Sequence, residues 1–316
     1  MSENAKVRNT VTKLGIIGGA GLLGATTAFC AAAEGLADEI ILSDLKENMA
    51  HSHARDIEQA ICESSETKLF VGAIDDLKSC DIVLNTAGIP EMKAGSRDDY
   101  LNGNIEIYRQ IAEKIKRWGT SPVILSATNP IDVLNYRFFE MTQLPPEKFI
   151  GFSRNDSLRF IWSASRETGI PSPRLEALVI GEHGDGQVPL FGTLRDKQSG
   201  QALSLSDGQK NSILQRVKTW FGEYQELDSG RSSGWTSGVG LCRVIKLILT
   251  DSDEICPCSV IPHGQYGLRD LSIGLPVRLG KSGVREIVKL ELSEDENVRL
   301  QSAAEKIKKL IASSRG

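Results

Sequence analysis

Short apolar runs separated by longer amphipathic stretches mark the first half of the chain. Residues 13–18, 39–43, 68–71, 81–85 and 123–126 are apolar runs of strand length. Between them, 22–35 is Ala-rich and helix-prone, 46–62 reads as a second helix and 131–141 as another. Within 96–118, Tyr100, Ile105, Ile107, Ile111 and Ile115 fall at helical spacing. Strand and helix alternate throughout, which predicts a parallel sheet with helices on both faces. The strands are almost continuously apolar, as strands buried on both faces must be.

The rhythm changes near residue 150. A helix at 155–168 is followed by strand-like stretches around 175–180, 187–196 and 257–290, with helices expected at 208–225 and 235–250. The last stretch, 293–312, is amphipathic: Leu300, Ala304, Ile307 and Ile311 share one side, and its lysines and glutamates form a solvated face. The expected fold is therefore α/β, a doubly wound parallel sheet over 1–150 followed by an α+β domain over 151–316.

Composition narrows the class. The 316 residues leave room for two domains or one large one, and 40% hydrophobic with 25% charged residues is ordinary for a globular protein. A formal net charge of -4 gives no electrostatic reason to expect nucleic acid as a partner. No apolar run approaches the ~20 residues of a membrane span, and Met1-Ser2-Glu3-Asn4 is polar, without a signal-peptide core. Of six cysteines only Cys256 and Cys258 are close, and C-P-C matches neither a C-x-x-C redox pair nor a zinc knuckle. Buried free thiols in a reducing cytoplasm are expected. His51 and His53 lie two apart on a helix and do not share a face, so neither suggests a metal site.

Two segments carry chemistry. Gly19-Ala20-Gly21-Leu22-Leu23-Gly24 fits G-x-G-x-x-G, following a strand and opening a helix. The first glycine is expected to allow the tight turn, the second a close approach to a pyrophosphate, the third close helix–strand packing. Phosphates would rest on the N–H groups of the helix N-terminus. Asp44 ends the second strand, where a carboxylate accepts hydrogen bonds from ribose hydroxyls and repels a 2′-phosphate. The combination predicts a Rossmann-type site for NAD rather than NADP. The second segment, Gly181-Glu182-His183-Gly184-Asp185, follows the apolar Leu178-Val179-Ile180. A single imidazole on a Gly-flanked turn suits proton transfer near neutral pH.

Further elements fall in one order: Thr86-Ala87-Gly88-Ile89-Pro90, Gly95-Ser96-Arg97-Asp98-Asp99, Asn129-Pro130-Ile131-Asp132, Asp156-Ser157-Leu158-Arg159-Phe160, the His183 turn, and Gly234-Trp235-Thr236-Ser237. This series resembles the lactate/malate dehydrogenase family along nearly the whole chain. The resemblance implies that His183 is the catalytic acid–base and Asp156 the carboxylate that orients it. It implies that Arg159 grips the substrate carboxylate, Arg97 polarises the reacting carbonyl, and Asn129 positions that oxygen after a cis bond to Pro130. Residues 89–101 would close over the site. By the same resemblance Thr86, Ala87, Gly88, Asn104 and Asn129 join the cofactor set, and Asn155 and Thr236 the substrate set. A homodimer or homotetramer is implied, with no metal.

Two departures from the family stand out. The position that selects the substrate, Gln in lactate and Arg in malate dehydrogenases, holds Glu91. A carboxylate there would repel the distal carboxylate of oxaloacetate, which points to a 2-oxo acid with a cationic or donor-rich side chain. The bland reading leaves Glu91 on the loop surface or paired with Lys93 or Arg154. Between Gly151 and Asp156 there are four residues, Phe152 to Asn155, where the family has five, and Asn155 replaces an apolar residue. The alternatives are an ordinary L-lactate or malate dehydrogenase, a non-catalytic NAD-binding protein, and a metal-dependent NAD-using glycosidase. The last lacks the Gly-Glu-His-Gly-Asp turn.

Overall fold

The computed structural model describes residues 11–89, 97–229 and 233–314, with backbone alone at 97–99. Glu91, and the polar arm expected at 1–12 except for its last two residues, lie outside them.

Six strands form the first half of the sheet: β1 (Lys13–Ile17), β2 (Glu39–Ser43), β3 (Lys68–Val71), β4 (Ile82–Asn85), β5 (Val123–Ser126) and β6 (Phe149–Gly151). They lie in the order β3-β2-β1-β4-β5-β6, every neighbouring pair parallel. The order reverses between β1 and β4, the place where sheets of this kind form a ligand crevice beyond the strands' C-terminal ends. Strands β4 and β5 are wholly buried, as their apolar runs require. Strand β3 is an edge, and Phe70 on it is 45% exposed. The sequence reading omits β6, because three residues are too short to show a period.

The helices of this half are α1 (Leu22–Ala33), α2 (Glu47–Ile61), α3 (Arg97–Ile115) and α4 (Ile131–Thr142). On α3 the buried stripe runs through Leu101, Asn104, Ile105, Tyr108, Ile111, Ala112 and Ile115. Tyr100 and Ile107, expected on that stripe, are half-buried at its edge. The 3.6-residue period favours positions 101, 104, 108 and 111 over them.

The second half does not form a separate sheet. Strand β9 (Cys256–Val260) pairs antiparallel with β6 through Gly151 and Ser259, then β10 (Ile273–Gly280), β7 (Leu175–Gly181) and β8 (Gln187–Asp196) follow, with β11 (Gly283–Ile287) paired to β10. The single strand-like stretch expected at 257–290 is thus three strands. Helices α5 (Arg154–Thr168), α6 (Asp207–Glu226), α7 (Gly234–Leu249) and α8 (Glu294–Ser313) pack around it. Phe160, Ala164, Val179, Leu194, Ile213 and Val217 make a small second core joining α5, α6, β7 and β8.

Two expectations change. Lys306 on α8 is not simply solvated: its Nζ lies 2.8 Å from Oε2 of Glu182, whose side chain is 9% exposed. Not every thiol is buried either, since Cys62 is exposed and Cys30 half-buried. Among the described residues no helix is long and apolar enough to cross a membrane.

Candidate active site

The glycine turn sits at the crevice, between β1 and α1. Gly21 is the N-cap of α1 with no side chain capping the first turn, so the helix N-terminus faces outward through backbone alone. A Cβ on Gly24 would lie 2.3 Å from the carbonyl oxygen of Gly18, so only glycine lets α1 start this close to β1. The left-handed turn residue is Gly18, with φ 86°, one position before the motif glycine expected to make the turn. Asp44 Oδ2 accepts from the Ala20 amide at 3.0 Å and its Oδ1 from the Lys46 amide at 2.9 Å, which holds the turn against β2. A cradle that a side chain would fill, an uncapped helix N-terminus and a carboxylate at the end of β2 fit a dinucleotide.

The opposite wall of the crevice is the loop after β4. Thr86 Oγ1 donates to the Ile17 carbonyl (2.9 Å), and Thr128 Oγ1 donates to the Ala87 carbonyl (2.8 Å). Asn104 is fully buried: its Oδ1 accepts from the Ile89 amide (2.7 Å) and its Nδ2 donates to the Asn129 carbonyl (3.1 Å). Asn104, expected in the cofactor set, ties the 86–89 loop to Asn129. The Asn129–Pro130 bond is cis, and Asn129 is exposed.

His183 lies on the turn between β7 and β8. Gly181 opens that turn with φ 91°, and Glu182 closes it by accepting the Gly186 amide on Oε2 at 2.9 Å. Asp156 and Arg159 stand one turn apart at the start of α5 and share a face, as their spacing predicts. The Ser157 hydroxyl accepts from the Val179 amide at 2.9 Å and pins α5 to β7. His183 Nδ1 is then 2.7 Å from Asp156 Oδ2, and Arg159 Nη1 is 3.7 Å from Asp156 Oδ1. Burial works to lower the His183 pKa, but the Asp156 charge and hydrogen bond, with Asp132 behind them, leave it raised above 6.5. Arg159 is lowered by burial against the opposing pull of Asp156.

The main chain of His183 is held separately. Its amide donates to Asp132 Oδ2 at 2.8 Å, and Asp132 Oδ1 accepts from the Ser259 hydroxyl. Asn135 donates to Ser272 Oγ (2.9 Å), which lies 2.8 Å from Ser259 Oγ. Burial pushes the Asp132 carboxyl up to about 6 against the lowering effect of those two hydrogen bonds.

Other expected residues fall differently. Asn155 is buried and donates through Nδ2 to Ser237 Oγ on α7 at 2.7 Å, while its Oδ1 has no partner. It joins α5 to α7. Arg154 Nη1 points to Cys256 Sγ at 3.8 Å. Thr236 is exposed near the start of α7. The side chain of Arg97 lies outside the described residues. The sequence reading omits Trp220: the Arg159 guanidinium carbon sits 4.3 Å over its ring, which stacks on Tyr224 at 5.2 Å. Nothing in the α6 sequence signals this, because it depends on how α6 crosses α5.

A family model for the lactate/malate dehydrogenase NAD binding domain matches residues 12–151, and one for the lactate/malate dehydrogenase alpha/beta C-terminal domain matches 154–315. The malate dehydrogenase of Halobacterium salinarum is 31% identical over 300 residues, 94% of this chain and 97% of its own. An L-lactate dehydrogenase 1 of Bacillus cereus is 32% identical over 305 residues, 94% of this chain and 96% of its own. The crystal structure of Cryptosporidium parvum malate dehydrogenase superposes with a TM-score of 0.90 at 29% identity, over 97% of this chain and 99% of that one. Because the two matches follow one another from residue 12 to residue 315, and the relatives align over almost their full length, the chain belongs to the lactate/malate dehydrogenase family of NAD-dependent oxidoreductases acting on CH–OH groups.

Proposed function

We propose that the protein interconverts an L-2-hydroxy acid and its 2-oxo acid, with His183 carrying the proton. The observation that supports this most directly is the 2.7 Å contact between His183 Nδ1 and Asp156 Oδ2 at the N-terminus of α5, with Arg159 on the other oxygen of the same carboxylate. An aspartate and an arginine one turn apart are commonly a surface pair of little consequence. Here Asp156 is 5% and Arg159 17% exposed, and both face the imidazole turn. A non-catalytic nucleotide-binding protein would have no need to hold them there.

When bound, NADH supplies the hydride that goes to C2 of the 2-oxo acid. Asp156 accepts Nδ1–H, which leaves Nε2 to give its proton to the carbonyl oxygen in reduction and to take it back in oxidation. Asp156 also stabilises the imidazolium that exists before that transfer. Arg159 holds the substrate carboxylate as a bidentate pair. Trp220 supports the flat face of that guanidinium, leaving its edge N–H groups for the substrate. Asn129, exposed just before the cis bond to Pro130, is assigned to the reacting oxygen together with Arg97. Gly21 and the first turn of α1 hold the pyrophosphate, and Asp44 the ribose hydroxyls.

The selecting position carries the finer reading. Glu91 favours a cationic or donor-rich substrate side chain over the carboxylate of oxaloacetate. An ordinary lactate or malate specificity is the alternative, and relatives of both names align over 94% of the chain. A homo-oligomer is proposed as well. Phe29 on α1 and Val239 on α7, helices packed on one another, are 44% and 57% exposed, and a second copy would cover them.

Five outcomes are expected. Reduction of a 2-oxo acid declines as pH rises through a value above 6.5, while oxidation of the hydroxy acid rises through it, since His183 must be protonated for one and neutral for the other. Asp156→Asn moves that value down and lowers kcat; an unmoved profile removes Asp156 from the role. Trp220→Ala raises the substrate KM by roughly five- to thirtyfold, as loss of ~1–2 kcal/mol of cation–π support requires, with kcat little changed. Equal loss of kcat would show a different role. An NADH-oxidation screen over pyruvate, oxaloacetate, a branched 2-oxo acid and 2-oxo acids with amino, guanidino or imidazole side chains tests Glu91. Preference for a cationic substrate, lost in Glu91→Arg with gain of oxaloacetate reduction, is expected; efficient wild-type reduction of oxaloacetate sinks the idea. Sedimentation at micromolar concentration should show a dimer or tetramer, and a monomer would refute the homo-oligomer.

A further inference from the structure

Asp132 is a buried ionisable group beside the site that the proposed reaction does not use. It is 3% exposed and lies in the first turn of α4. That position favours a negative charge through the helix dipole, but two hydrogen bonds are a thin shell for a buried carboxylate. The fold would keep Asp132 more cheaply as a neutral acceptor. Its neighbours suggest what the charge does. One oxygen accepts the His183 amide, and the other is held by Ser259, which is in turn held beside Ser272 and Asn135.

We propose that Asp132 is a positioning residue for the reaction, fixing the main chain of His183 against the Asn129 turn and placing a second carboxylate behind the imidazole. The proposal rests on His183 being the proton carrier. Asn129 and Asp132 are three residues apart on one short segment, which Asn104 holds at the Asn129 carbonyl. The bond from Asp132 to the His183 amide therefore sets the separation between the group that delivers the proton and the group that positions the oxygen receiving it. Asp156 orients the ring; Asp132 orients the backbone that carries the ring. Misplacement of a reacting group by about 1 Å can lower a rate about a hundredfold, so this link bears on kcat rather than on binding.

The charge acts through the same geometry. The groups facing His183 are Asp156 and Arg159 from α5 and Asp132 from α4. Those facing Asp132 are His183 and Glu182 from the turn and Ser259 from β9. Glu182 is itself neutralised by Lys306 of α8. An ionised Asp132 supports the imidazolium, and a protonated one withdraws that support.

Kinetics across pH with four variants test this, with thermal unfolding of each to establish folding. Asp132→Asn keeps an oxygen for the His183 amide but removes the charge. It should lower kcat on the order of tenfold, leave the 2-oxo acid KM and NADH binding within about twofold, and move the upper pH limb of reduction to lower pH. Asp132→Ala removes both and should lower kcat by about a hundredfold. Ser259→Ala strips a donor from Asp132 and should bring acid-side loss of activity at higher pH than in the wild type. Folded Asp132 variants with wild-type kcat and an unmoved pH limb would overturn the proposal. Where an Asp132 variant does not fold, an unmoved acid limb in Ser259→Ala overturns it. His183→Asn separates the two readings: if it retains full activity, the proton-carrier reading fails, whereas if it is inactive and the Asp132 variants are unaffected, Asp132 alone is dismissed.

Discussion

Strands β6 and β9 meet through one residue pair, Gly151 opposite Ser259, and the site depends on that narrow seam. A Cβ on Gly151 would lie 2.8 Å from the Cβ of Ser259, so any larger residue would push the two strands apart. Two paths lead from the seam to the same imidazole. One runs from Ser259 to Asp132 and on to the His183 amide. The other follows the chain from Gly151 through Phe152 and Ser153 into α5, whose first turn carries Asp156. The ring and the backbone of His183 are thus positioned from a single point, where the parallel half of the sheet gives way to the antiparallel half.

Charge at the site is arranged in partly buried pairs. Glu182 meets Lys306 from α8, Asp156 lies between His183 and Arg159, and Arg159 is backed by the Trp220 ring. A single buried charge without such partners would neutralise rather than persist. Asp132 is the least compensated member, which is why its carboxyl is pushed up to about 6. The pairs also tie four distant stretches of chain together, since α5, α6, α8 and the β7–β8 turn each contribute a member.

The alternating half of the fold was legible residue by residue. Strands β2, β3 and β5 have the bounds their apolar runs predict; β2 and β5 are buried almost throughout, as continuous apolar runs require, while β3 exposes one face at the sheet edge. Strand β6 was not, since three residues carry no period, and its membership in the sheet comes from pairing on both sides. The stretch 257–290 was ambiguous for a related reason: three strands with short connections look alike until pairing separates them. In the site, the Asp156–Arg159 face and the glycine turn followed from helical spacing and motif context. The roles of Asn104, Asn155 and Lys306 did not. Each is a polar side chain whose partner is between 15 and 124 residues away, and local pattern holds no record of such contacts.

By itself, then, the sequence determined most of the elements of the first half, their alternation, the glycine turn with Asp44, and a histidine on a Gly-bounded turn. These are local properties, set by period, by backbone freedom at glycine and by the chemistry of single side chains. The tertiary structure alone decided that one sheet runs through both halves, that Gly18 rather than Gly19 makes the left-handed turn, and that Trp220 lies under Arg159. It also decided that Asp132 holds His183. Those outcomes depend on which faces meet when helices and strands pack, and packing is decided by the whole chain at once.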